Sequence, residues 1–118
     1  MFFPAPDERL WVGVLRLGLL VPGSRSLKDK RRAILQIRDR LQARHHVAVA
    51  EVGHLDNPLR GVVSVSCTGN DPQVLRSTLD HLLHEIRSWS MALVDESDVA
   101  ILRPWDSGNT AGYEDDDG

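Results

Sequence analysis

“VPGSRSLKDKRRAIL”, residues 21–35, holds a stop and a start within one short stretch. Pro22-Gly23 ends an extended segment, since this pair favours a turn. Ser26 then suits an N-cap, because its side-chain oxygen can accept from a backbone N–H of the first turn. Asp29, three residues on, makes a partial capping box. Leu27, Ile34, Ile37 and Leu41 follow at helical spacing, so a helix with one apolar face is predicted over residues 27–44.

Outward from that helix the chain alternates. Residues 10–21 are rich in Val and Leu and read as a strand. Downstream, “HVAVAEVG” (46–53) and “RGVVSVSCT” (60–68 with the arginine) read as strands separated by a turn at Asn57-Pro58. Val63, Val65 and Cys67 share one face of the second of these; Val62, Ser64, Ser66 and Thr68 share the other. Asp71 as N-cap and Pro72 at the first helical position open a helix predicted over 72–89, with Leu75, Leu79, Leu82, Leu83, Ile86 and Trp89 on one side. Residues 91–103 are a last strand, and the charged stretch Asp95 to Asp98 is the place for an interruption. The order β-α-β-β-α-β, with right-handed crossovers, predicts a ferredoxin-like α+β fold: a four-stranded antiparallel sheet of order 4-1-3-2 with two helices on one face.

One face of that sheet is left without helices. Either Val12, Val14 and Leu20 or Trp11, Leu15, Leu17 and Leu19 must point there, and both sets are apolar. The face is then either a half-exposed surface partly covered by the termini or the working surface of a protein-interaction or homo-oligomerisation module, such as a homodimer.

At 118 residues the chain fits one domain. The expected division is a flexible segment 1–9, the domain 10–103 and a disordered acidic tail 104–118, “PWDSGNTAGYEDDDG”. The formal net charge of −3 conceals a basic domain: residues 10–103 hold 13 basic and 10 acidic side chains, net +3. The single cysteine, Cys67, excludes an intrachain disulfide and a cysteine-based zinc cluster. The longest apolar run is too short for a membrane span and contains Arg16. No signal peptide is evident at the start, so a cytoplasmic protein is expected.

“SLKDKR” at 26–31, “VAVAEVGHLD” at 47–56 and “GND” at 69–71, in this element order, resemble the bacterial YlxP-like family, a domain of unknown function. The likeness spans roughly residues 10–103. It implies a ferredoxin-like fold. Genes of that family often neighbour those of translation initiation and ribosome-maturation factors, which implies a link to RNA or ribosomes. It implies no catalytic residues. After Asp56 the chain departs from the family pattern, with “NPLRG” where many relatives carry an aromatic.

Eight of the 14 basic residues lie between Arg25 and Arg44, against two acids. Cations at a helix start oppose the dipole by about 0.3–1 kcal/mol each, so their concentration there asks for a reason. Arg31, Arg38, Lys28 and Arg32 fall on one arc beside the apolar face. Lys30 falls nearer the apolar face and is expected to keep its head wet by reaching past the sheet. One reading is an anion site: free N–H groups at the helix start, with Arg25, Lys28, Lys30, Arg31, Arg32 and Arg38 contacting phosphates of RNA or a ribosomal particle. The other is a solvated charged face, paired with the acidic tail or with Glu51 and Asp56. Strands one and three offer Val12, Val14, Val62, Ser64 and Ser66 but no aromatic for base stacking, so RNA contact is expected through phosphate and shape.

Other constellations point away from chemistry. His81 and His84 are spaced for one helix face, but no third metal ligand is spaced with them. His45-His46 suit the end of the first helix. His54 and Asp56 could pair in a loop. Cys67 alternates with Val63 and Val65 and lacks a base. No phosphate-binding glycine-rich loop or dinucleotide fingerprint occurs. No enzyme activity, cofactor, metal, membrane or small-molecule substrate is expected.

Overall fold

The computed structural model describes residue 3 and residues 5–105. The predicted acidic tail lies outside the described residues from 106 onward. The elements are β1 (Trp11–Leu20), α1 (Leu27–Arg44), β2 (Ala48–Gly53), β3 (Arg60–Gly69), α2 (Pro72–Arg87) and β4 (Leu93–Leu102). The strands form one antiparallel sheet of order β2-β3-β1-β4. This is the predicted ferredoxin-like α+β arrangement, its ends shifted by a residue or two.

The two-fold alternation of β1 settles which face the helices cover. Leu15, Leu17 and Leu19 are buried with Val63 and Val65 of β3, against Ile34, Ile37 and Leu41 of α1 and Leu79, Leu82 and Ile86 of α2. Each such side chain contributes about 1.5–3 kcal/mol by leaving water. The alternate positions, Val12, Val14 and Leu20, are half-buried on the open face. Gly13 lets α2 approach β1: a Cβ there would lie 2.9 Å from Leu79 Cδ1.

Both helices start as their sequences direct. Ser26 Oγ accepts from Asp29 N at 3.1 Å. Asp71 Oδ1 accepts from Gln73 N at 2.9 Å, with Pro72 opening α2.

Where an interruption was expected in β4, the strand continues through a bulge. Gly18 faces Glu96 and Leu19 faces Val94, so Asp95 is the extra residue. Its carboxylate accepts from Arg60 Nη1 on β3.

Val12 pairs with Leu102, so the chain enters β1 and leaves β4 side by side at one end of the sheet. The connections 21–26 and 54–59 meet at the other end, where Ser24 Oγ donates to Pro58 O at 2.6 Å and Val21 N to Leu59 O at 2.8 Å.

Candidate functional site

Lys30 departs from its expected role. Its head is not wet: the side chain is 0% exposed, and Nζ lies 2.7 Å from Glu51 Oε2. The ammonium also donates to His54 O at 2.8 Å and Arg60 O at 3.0 Å. Its three protons thus have three oxygen neighbours, as a buried ammonium requires. Glu51 Oε2 is buried and makes no directed hydrogen bond; the ammonium beside it supplies its compensation. Lys30 therefore anchors the first turn of α1 to β2 and to the 54–59 connection, and is withdrawn from the phosphate-binding set. Helical spacing carried the signal. Lys30, Ile34, Ile37 and Leu41 follow i, i+4, i+7, i+11, and all four are buried, whereas Leu27 is only half-buried.

The start of α1 is also less open to an anion than expected. Asp29 N is taken by Ser26 Oγ and Lys30 N by Ser26 O. Asp29 Oδ2 accepts from Arg25 N at 3.0 Å. A carboxylate of the chain itself thus stands at the positive end of the dipole, where it offsets part of the cation penalty.

What faces outward is a set of side-chain cations. Arg25, Lys28, Arg31 and Arg32 are exposed, and none has a side-chain hydrogen bond or ion pair among the described residues. The other exposed or half-exposed cations of α1 are engaged. Arg38 is half-buried and donates through Nε and Nη2 to Asp39 Oδ1 at 3.1 and 3.0 Å. Arg40 stacks on Trp89, 5.3 Å from the ring centroid. Arg44 Nη1 lies 3.2 Å from Glu85 Oε2. Arg31 and Arg38 also flank Leu35 in a groove of about 220 Å³ between α1 and β2, floored by Val49, Ala50 and Glu51. The structure therefore brings Arg25, Lys28, Arg31 and Arg32 together, with Arg38 at their margin, and removes Lys30.

The remaining clusters hold structural contacts. His45 Nε2 is 3.2 Å from Glu85 Oε1, and its N–H caps Leu41 O at 2.8 Å. His81 and His84 are exposed on α2, and no group of three or more metal-ligating side chains occurs among the described residues. His54 and Asp56 are exposed, with no hydrogen bond between them among the described residues. His54 instead holds a left-handed φ of 53° while its carbonyl accepts from Lys30 Nζ and Asn57 N. Burial pushes the Cys67 thiol above its ordinary pKa of 9.0, which keeps it protonated and a poor nucleophile.

The family described as “Protein of unknown function (DUF503)” matches residues 12–98. The chain belongs to this family. That span runs from the second residue of β1 to Asp98 of β4, so it includes both helices and the whole cationic face of α1. A comparison with curated proteins finds no match. Among the described residues no helix is long and apolar enough to cross a membrane.

Proposed function

We propose that this protein is a non-catalytic binder of RNA, free or within a ribosomal particle, and that the outward face of α1 is its contact surface. The observation that carries the reading is selective. On one helix, Arg38, Arg40 and Arg44 are engaged by Asp39, Trp89 and Glu85, and Lys30 by Glu51. Arg25, Lys28, Arg31 and Arg32 stand exposed with no side-chain partner among the described residues. Four cations within eight residues repel one another, and a polyanion relieves that repulsion. Recognition is of phosphate and backbone shape. Open-face positions of β1 and β3, among them Val12, Val14, Arg16, Val62, Ser64 and Ser66, carry no aromatic ring for a base to stack on.

The test is a salt series of binding to small-subunit ribosomal RNA, comparing the wild type with Lys28→Ala/Arg31→Ala/Arg32→Ala. Each lost phosphate contact removes roughly one unit of log–log salt slope, so the triple variant should lose about two to three units. Absence of wild-type binding at low salt, or an unchanged slope in the variant, removes α1 as the RNA surface.

A further inference from the structure

The open face of the sheet is complementary to itself. In register, β1 and β4 place Val12 beside Leu102, Arg16 beside Asp98 and Leu20 beside Leu93. Cross-strand neighbours share a face, and this is the one the helices leave free: Leu93 is 54% and Leu102 51% exposed. A closed dimer has a two-fold axis, so its interface must match its own image. Take that axis parallel to the strands and midway between β1 and β4, so that β4 of a second copy lies over β1. Val12 then meets the second copy's Leu102, Leu20 meets its Leu93, and Arg16 meets its Asp98.

The charges at the centre are available for this. Arg16 Nη1 is 3.8 Å from Glu96 Oε1, a loose contact between exposed groups. Asp98 has no ion-pair partner among the described residues. Asp95, Glu96 and Asp98 on β4 also make this side of the molecule unsuited to a polyanion, so it is distinct from the face of α1. We infer that the partner of this face is a second copy of the chain, with Arg16 of each copy against Asp98 of the other and α1 of both copies turned outward.

Area sets the strength. Two strands of ten residues cover roughly 300 Å² in projection, from strand spacings of about 4.8 Å and rises of about 3.3 Å. That is well below the ~800 Å² per partner of a standard interface, so a weak, concentration-dependent dimer is expected.

The experiment is sedimentation equilibrium of the full chain from about 5 to about 500 μM, a range that reaches toward the millimolar dissociation constants of weak complexes. Arg16→Asp and Asp98→Arg are run alone and as an equimolar mixture. The wild type should shift from monomer toward dimer. Each variant alone should lose self-association by tenfold or more, because like charges then face each other. The mixture should recover it, because the two reversed faces are again opposite in sign. A wild type that stays monomeric throughout overturns the inference. So do single variants that associate like the wild type, or a mixture that fails to recover.

Discussion

Replacing Lys30 is the sharpest probe of how α1 is held. In Lys30→Met an apolar stem of similar length is kept, with sulfur in place of Cδ, and the ammonium is lost. Glu51, whose side chain is 15% exposed, then keeps a charge beside the place where Nζ stood at 2.7 Å. Arg60 O loses its 3.0 Å donor, while His54 O keeps Asn57 N. Breaking a buried pair by removing one partner costs about 3–5 kcal/mol, mostly from the stranded charge. A domain of this size has about 5–15 kcal/mol in total, so roughly a fifth or more of the stability is at stake. Removing both charges, as Lys30→Met/Glu51→Leu, should recover most of the loss, since an apolar pair of similar volume has no desolvation cost. Urea unfolding of the wild type, the two single variants and the double variant gives the coupling directly. A loss below about 1 kcal/mol in Lys30→Met, the range of a surface pair, would refute the reasoning. It would mean that the ammonium is solvated, and Lys30 would return to the phosphate-binding set. The same variant should leave the salt slope of RNA binding unchanged, which separates anchoring from contact.

Gly13→Ala places a Cβ 2.9 Å from Leu79 Cδ1 and 3.4 Å from Leu75 Cβ, so overpacking should cost about 1–3 kcal/mol in thermal or urea unfolding. Ser26→Ala removes the cap on Asp29 N and should cost about 1 kcal/mol without altering the fold seen by circular dichroism. Cys67 should react with iodoacetamide more slowly than a small free thiol, because burial raises its pKa above 9.0 and little thiolate is present near neutral pH; denaturant should abolish the difference. The linkage has a definite sign. The unfolded thiol ionises first as pH rises past about 9.0, so unfolding gains a favourable ionisation there, and the thiol's contribution to stability falls with pH in that window and is constant below it.

Much of the architecture was legible because its signals are local. Pro22-Gly23 and Ser26 with Asp29 fixed the entry to α1, and Asp71-Pro72 the entry to α2, through hydrogen bonds made within a turn. Side-chain alternation limited β1 to two choices but did not choose between them, since Val12 and Val14 are as apolar as Leu15 and Leu17. Only the packing of α1 and α2 over the sheet decides it. The cationic face was legible as a count of charges. Its division was not, because apart from Asp39 beside Arg38 the partners are distant in sequence. Glu51 sits 21 residues from Lys30, and Glu85 sits 41 from Arg44. The spacing of Lys30 with Ile34, Ile37 and Leu41 was on the page, but a lysine in an apolar stripe usually snorkels. Its burial depends on β2 turning Glu51 inward and on the carbonyls of His54 and Arg60 converging at the same point.

The adjacency of Val12 and Leu102 has a topological consequence. Neighbouring strands are separated by about 5 Å, so a short linker could join the start of β1 to the end of β4. Opening the chain instead in the 54–59 connection would give a circular permutant that reads β3-α2-β4-β1-α1-β2. That is again β-α-β-β-α-β. The domain is built from two β-α-β halves whose order along the chain is interchangeable as far as strand pairing is concerned. What makes the halves unequal is chemical: the ammonium of the first helix gathers the connection that joins them, and the second helix has no counterpart. A permutant cut there would keep every ladder of the sheet and lose the covalent continuity around His54, separating the contribution of topology from that of a single buried lysine.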